Sequence, residues 1–96
     1  MTTSAPDGWT VFSNHGHVLI FVATNPQARI RDIAAAVGIT ERRAQAIGSE
    51  LVEVGFLGVT KNGRRNTYSV HPDARLRHPA ESQHTIGEVI SLFQEH

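Results

Sequence analysis

The stretch "IRDIAAAVGITERRAQAIGSELVEVGFLGVTKNGRRNTYSV", residues 30–70, decides the fold. Its first part, "RIRDIAAAVG" with Arg29 included, reads as a short helix. Ile33, Ala34 and Val37 share one face, Asp32 in the first turn suits the positive end of the helix dipole, and Gly38 supplies a left-handed stop. Only Gly38, Ile39 and Thr40 separate it from a second helix, for which Thr40 is a good N-cap. In that second helix Ala44, Ile47, Leu51 and Val54 recur at helical spacing as one apolar stripe, with Arg42, Gln45, Ser49 and Glu53 opposite and Ala46 beside them. Gly55 closes it, and a hairpin over 56–70 follows at once. Its strands are the runs "FLGVT" and "TYSV", and Asn62-Gly63 between them suits a two-residue type I′ turn. Lys61, Arg64 and Arg65 are thereby carried to the hairpin tip.

Outward from this core, "WTVFSNHGHVLIFVATNP" predicts a helix capped by Ser13 or Asn14 and stopped after Thr24 by Asn25-Pro26. Periodicity alone also admits a strand over "VLIFV". As a helix it is apolar nearly all round, which requires burial on more than one side. After the hairpin, "HPDARLRHPAES" reads as an extended connector. A last helix is expected over 82–95, with Ile86, Val89, Ile90 and Phe93 at amphipathic spacing. Residues 1–8 have tail composition and 9–96 read as one domain, mainly α with a small β-hairpin.

Ninety-six residues with 40% apolar and 19% charged content suit one soluble globular domain. No run reaches the roughly 18 apolar residues of a membrane span, and "VLIFVA" lacks the flanks of a signal peptide. The absence of cysteine removes disulfides and thiolate metal sites and fits a cytoplasmic location. The formal net charge of zero is divided. All nine Lys and Arg lie between Arg29 and Arg77 with five acids, leaving +4, while the flanks hold four acids and no Lys or Arg. A basic middle between acidic ends suits a polyanion-binding face, although nine charges of each sign can also segregate by chance.

Helix, three-residue turn, helix and basic hairpin follow one another in the order of a winged helix-turn-helix, residues 31–55 forming the helix-turn-helix and 56–71 the wing. In such an arrangement the second helix enters the DNA major groove. Arg42, Arg43, Gln45 and Ser49 would then face base edges, Arg and Gln being suited to bidentate contacts with guanine and adenine. Thr40 and the amides near it would hold a phosphate, with Arg31 a further phosphate contact. Lys61, Asn62, Arg64 and Arg65 on the wing would reach the minor groove or its phosphates. Taken alone, the hairpin tip reads equally well as solvated charge that blocks edge pairing.

The segment 14–71 resembles the DNA-binding core of MarR- and ArsR-like bacterial and archaeal transcription regulators. The resemblance rests on "AAAVGIT", on the spacing from Leu51 to Gly55 before Phe56-Leu57, and on the Asn-Gly-Arg-Arg wing. It implies a sequence-selective regulator binding double-stranded DNA, without enzymatic activity or cofactor. Three positions depart from it. Gly48 stands where relatives carry an aliphatic residue and costs about 1 kcal/mol against Ala, which implies a soft helix or a close approach by another backbone. Ala46 stands where relatives often carry a polar reader, and Arg31 where a Ser or Thr cap is usual.

His15-x-His17, with four further histidines, raises metal sensing, but residues i and i+2 of a helix point about 200° apart and no cysteine is available. Structural or surface histidines, and no metal, are the expectation. No phosphate loop, cysteine nucleophile or carboxylate pair marks an active site. Two other functions fit the same fold: a protein-interaction module and an architectural DNA binder with little sequence preference. The apolar excess of the two terminal helices predicts a homodimer through Val18, Phe21, Val22, Ile86, Val89, Ile90 and Phe93, its recognition helices about 34 Å apart.

Overall fold

A computed structural model describes residues 10–94. It is a small α+β domain of four helices and one two-stranded antiparallel hairpin: α1 (Asn14–Thr24), α2 (Ile30–Val37), α3 (Glu41–Glu53), β1 (Leu57–Asn62), β2 (Arg65–Val70) and α4 (Ile86–Ser91). The tail expected over 1–8 lies outside the described residues.

The helix ends obey the residues that mark them. Gly38 takes φ 86° after α2. Thr40 Oγ1 accepts the Arg43 N–H at 3.0 Å and caps α3. At the other end Gly55 takes φ 88°, its N–H donates to Val52 O at 3.0 Å, and the Phe56 N–H donates to Leu51 O at 2.9 Å. These two bonds form a Schellman motif, with Phe56 returned toward Leu51. The chain therefore leaves α3 already turned into β1. Helix α2 starts at Ile30, one residue inside the expected stretch: Arg29 is the N-cap, its own N–H held by Asp32 Oδ2 at 3.0 Å, and Arg31, expected at the cap position, is inside the helix.

One core joins all elements. Val18, Leu19 and Val22 of α1 meet Ile33 and Ala34 of α2, Ala44, Ile47 and Leu51 of α3, Leu57, Tyr68, and Ile86 and Ile90 of α4. Helix α1 is the central post, touching α2, α3, β2 and α4. Most of its apolar surface is thus covered by its own chain, with Ile20 and Phe21 partly covered. This corrects four of the expected dimer contacts: Val18, Val22, Ile86 and Ile90 are interior residues, none more than 5% exposed.

The C-terminal region corrects the sequence reading further. The connector is locally folded rather than extended: Arg75 and Thr85 form an antiparallel bridge. Leu76 N–H donates to His84 O at 3.1 Å and Ile86 N–H to Ala74 O at 2.8 Å. Residues 82–85, assigned above to the helix, instead close this excursion. Helix α4 starts only at Ile86, where Thr85 Oγ1 accepts from the Glu88 N–H and the Glu88 carboxylate accepts from the Thr85 N–H. These bonds, and His84 beside them, hold the Glu88 carboxyl below the usual carboxylate range. The helix ends at Ser91, and Phe93 turns back to meet Phe12 edge-to-face, ring centroids 5.8 Å apart.

Gly48 is buried in α3 because of a side chain, not a backbone. A Cβ there would lie 3.1 Å from the Tyr68 hydroxyl and 3.3 Å from Cζ. Tyr68 itself is only 6% exposed and has little room to retreat. Gly48→Ala therefore sets a helix-propensity gain of about 1 kcal/mol against compression of Tyr68. With Tyr68→Phe the oxygen is gone, so Gly48→Ala is expected to be more favourable in that background than in the native one. A urea double-mutant cycle reads the coupling, expected at about 1 kcal/mol; additivity would show that the two residues do not constrain each other.

Candidate nucleic-acid interface

The register of the hairpin places its cations. Leu57 pairs with Val70, Val59 with Tyr68 and Asn62 with Arg65, leaving Gly63 and Arg64 as the two loop residues. The turn thus falls one residue later than Asn62-Gly63. Of the two loop residues only Gly63 has positive φ, at 64°, and among the described residues no non-glycine residue does. Positive φ at the first central position only is the pattern of a type II′ turn, not I′. The shift spares Asn62 a left-handed conformation and gives it a place in the ladder. It also aligns the Leu57–Val70 and Val59–Tyr68 pairs on one face, from which Leu57 and Tyr68 enter the core.

Arg65 does not stand free at the tip. Its Nη2 donates to Gln27 O, in the turn between α1 and α2, at 2.8 Å. That bond ties the hairpin tip to the turn before α2 and gives one expected groove-binding residue a bracing role. Arg65→Ala is expected to raise hydrogen exchange at amides of residues 61–66 about tenfold, with global stability changed by about 1 kcal/mol or less. Unaltered exchange there would mean that strand pairing alone fixes the tip.

A cleft of about 380 Å³ opens between the start of α2, the flank of α3 and the hairpin tip. Asn62, Arg64, Arg65 and Gln45 line it, as the sequence places them in one site, and they are joined by Arg29, Ile30 and Asn66. No acidic residue lines it. Arg29 is absent from the expected site residues because the sequence reading puts it inside the helix; it is the N-cap, at the helix end that faces the hairpin tip.

On α3 the buried line of Ala44, Ile47, Gly48 and Leu51 sets the direction of every other side chain. Arg42 and Ser49 point away from the core together with Ala46 and Glu53, and Gln45 lies on the flank toward the wing. Arg43 falls on the opposite flank, with Glu50. There His15 Nε2 of α1 and Glu50 Oε1 are 2.6 Å apart. That hydrogen bond, with Arg43 adding a weaker attraction, holds the Glu50 carboxyl below the usual range. The structure therefore puts Gln45 beside the hairpin tip, with Arg42 and Ser49 on the adjoining outward face of α3, and turns Arg43 aside. The Thr40 oxygen is engaged in its cap, leaving its O–H as a donor. Arg31 and Lys61 are exposed.

The electrostatics are one-sided. Among the described residues, no lysine or arginine is ion-paired with a carboxylate; the two ion pairs are His15–Glu50 and His84–Glu88. Glu50, Glu88 and Asp32 are occupied by histidines and backbone amides. The other histidines in the described residues also have local partners: His17 faces Asn14, His71 donates from Nδ1 to Gly55 O at 2.9 Å, and His78 accepts from the Ala80 N–H. The metal alternative weighed on His15 and His17 has no such grouping: among the described residues no three His, Cys, Asp or Glu side chains come together.

Compared with known family models, curated proteins and solved structures, the chain shows no significant match. No helix among the described residues is long and apolar enough to cross a membrane.

Proposed function

We propose that the protein is a sequence-selective regulator of transcription that binds double-stranded DNA through a winged helix-turn-helix. Helix α3 lies in the major groove with Arg42, Gln45 and Ser49 toward the bases, and the hairpin grips the adjacent backbone. One observation carries this reading. A chain with as many acids as cations leaves its lysines and arginines without carboxylate partners among the described residues and clusters several of them beside an exposed helix face. Unpaired guanidinium groups of this kind exchange bound counterions for phosphates, which is the main source of affinity for duplex DNA. A selection from random duplexes followed by footprinting tests it. An enriched motif protected on one groove face supports the reading, and no enrichment with uniform weak binding would leave an architectural binder in its place.

The reading takes the protein as a homodimer in the cytoplasm, acting without cofactor or catalysis. With Val18, Val22, Ile86 and Ile90 used by the core, the contact must come from what stays accessible: Leu92 at 75% exposed, Phe93 at 43%, and the partly covered Phe21 and Val89. Leu92→Glu is then expected to turn a dimer into a folded monomer by sedimentation, with tight binding to a two-fold site lost. A native chain that sediments as a monomer at micromolar concentration yet binds tightly would remove the dimer.

A further inference from the structure

We propose that the cleft between α2, α3 and the hairpin tip is a built seat for a single phosphate group, with Arg29 and Arg64 as its cationic ligands. The inference rests on the DNA-binding reading for its natural occupant, a backbone phosphate, but the seat is defined by its own chemistry. Three arginines border one space of about 380 Å³ with Asn62, Asn66 and Gln45 as neutral neighbours and no acidic residue in the lining. Like charges gathered in one concavity repel each other, and among the described residues none of the three is paired with an acid that would relieve them. Arg65 relieves part of its own demand through Gln27 O. That single bond uses one of its five donors and holds it as a wall rather than a free arm. Arg29 and Arg64 have no hydrogen-bond partner for their side chains among the described residues, and both are exposed.

The charge comes from side chains, not from the end of α2. Asp32 already accepts the Arg29 N–H there, so the first turn is partly neutralised. A tetrahedral dianion matches the guanidinium fork, and amide N–H groups of Asn and Gln complete a shell around the remaining oxygens. Planar bases and carboxylates offer fewer acceptors in that arrangement. The seat adjoins the reading face: Gln45, on the flank of α3, borders both the phosphate and the bases toward which Arg42 and Ser49 point.

Two titrations of the full chain test this, one with inorganic phosphate and one with duplex DNA. With inorganic phosphate against chloride at matched ionic strength, the backbone amides of Arg29, Arg64 and Asn66 are expected to show saturable NMR shifts. Arg29→Ala and Arg64→Ala should each weaken that affinity about tenfold, while Arg77→Ala, beside His15 and Glu50 and away from the cleft, leaves it within about twofold. Arg29→Lys, which keeps the charge without the fork, should retain an intermediate affinity. With DNA, Arg29→Ala should lower the salt slope by about one and weaken preferred and random duplexes to the same extent. Saturable phosphate binding without DNA binding keeps the seat, assigns it to a free phosphorylated ligand and sinks the DNA reading. DNA binding that is indifferent to Arg29→Ala, or phosphate shifts that rise linearly and survive both alanine variants, overturns the seat and leaves the DNA reading standing.

Discussion

Ile86→Glu is expected to leave the protein unfolded at 25 °C, whereas Leu92→Glu, six residues on, should keep its stability within about 0.5 kcal/mol. Ile86 is fully buried, touching the one core that joins the helices and the hairpin, and its N–H closes the connector onto Ala74 O at 2.8 Å. Replacing it loses the burial and packing of a large aliphatic side chain, about 2–5 kcal/mol. It also puts a carboxylate where no buried polar or charged side chain exists among the described residues, at several kcal/mol more. Domains of this kind hold about 5–15 kcal/mol in total, so the two losses together are enough. Circular dichroism and a urea titration read the outcome directly. Cooperative unfolding of Ile86→Glu close to that of the native protein would show that α4 is not part of the core and would return Ile86 to the surface proposed from its sequence.

That contrast marks where the sequence is informative. Breakers and caps act through local geometry, so Gly38, Thr40 and Gly55 delimit α2 and α3 from sequence to within one residue. The Ala44–Ile47–Leu51 stripe is equally legible, because one helical face meets one core; Val54, its last member, is past the helix end and 37% exposed. An apolar helix such as α1 is not legible in the same way. Its composition demands neighbours on several sides but does not say whether they belong to the same chain, and here they do. The connector is opaque for another reason. Its Leu76–His84 and Ala74–Ile86 bonds join backbone groups, which no residue pattern encodes.

The site divides along the same line. Gln45 and the hairpin residues Asn62, Arg64 and Arg65, expected at different grooves, meet around one cleft. The partner of Arg65 is a main-chain carbonyl, and Gly48 answers to a tyrosine twenty residues away; neither is visible before the chain is folded. Arg43 illustrates the limit of reading a helix by composition alone. It neighbours Arg42 in sequence, yet a step of about 100° carries it to the flank shared with Glu50 and His15.

Arg42→Ala and Arg64→Ala are expected to fail in opposite ways on DNA. Arg42 points directly away from Ala44, Ile47 and Leu51, so in a major groove it meets base edges. Removing it should cost about 1–3 kcal/mol on the preferred duplex and much less on random sequence, shrinking the ratio between them. Arg64 is the second residue of the hairpin loop and lines the cleft, where the partner chemistry is the phosphate backbone that every duplex shares. Its removal should weaken both duplexes by the same factor and lower the salt slope by about one. Fluorescence anisotropy with the two duplexes at several salt concentrations separates the cases, because one variant moves the specificity ratio and the other the slope. Equal losses for Arg42→Ala on both duplexes would make α3 a positioning element. Selectivity would then have to come from DNA shape rather than from side chains on this face.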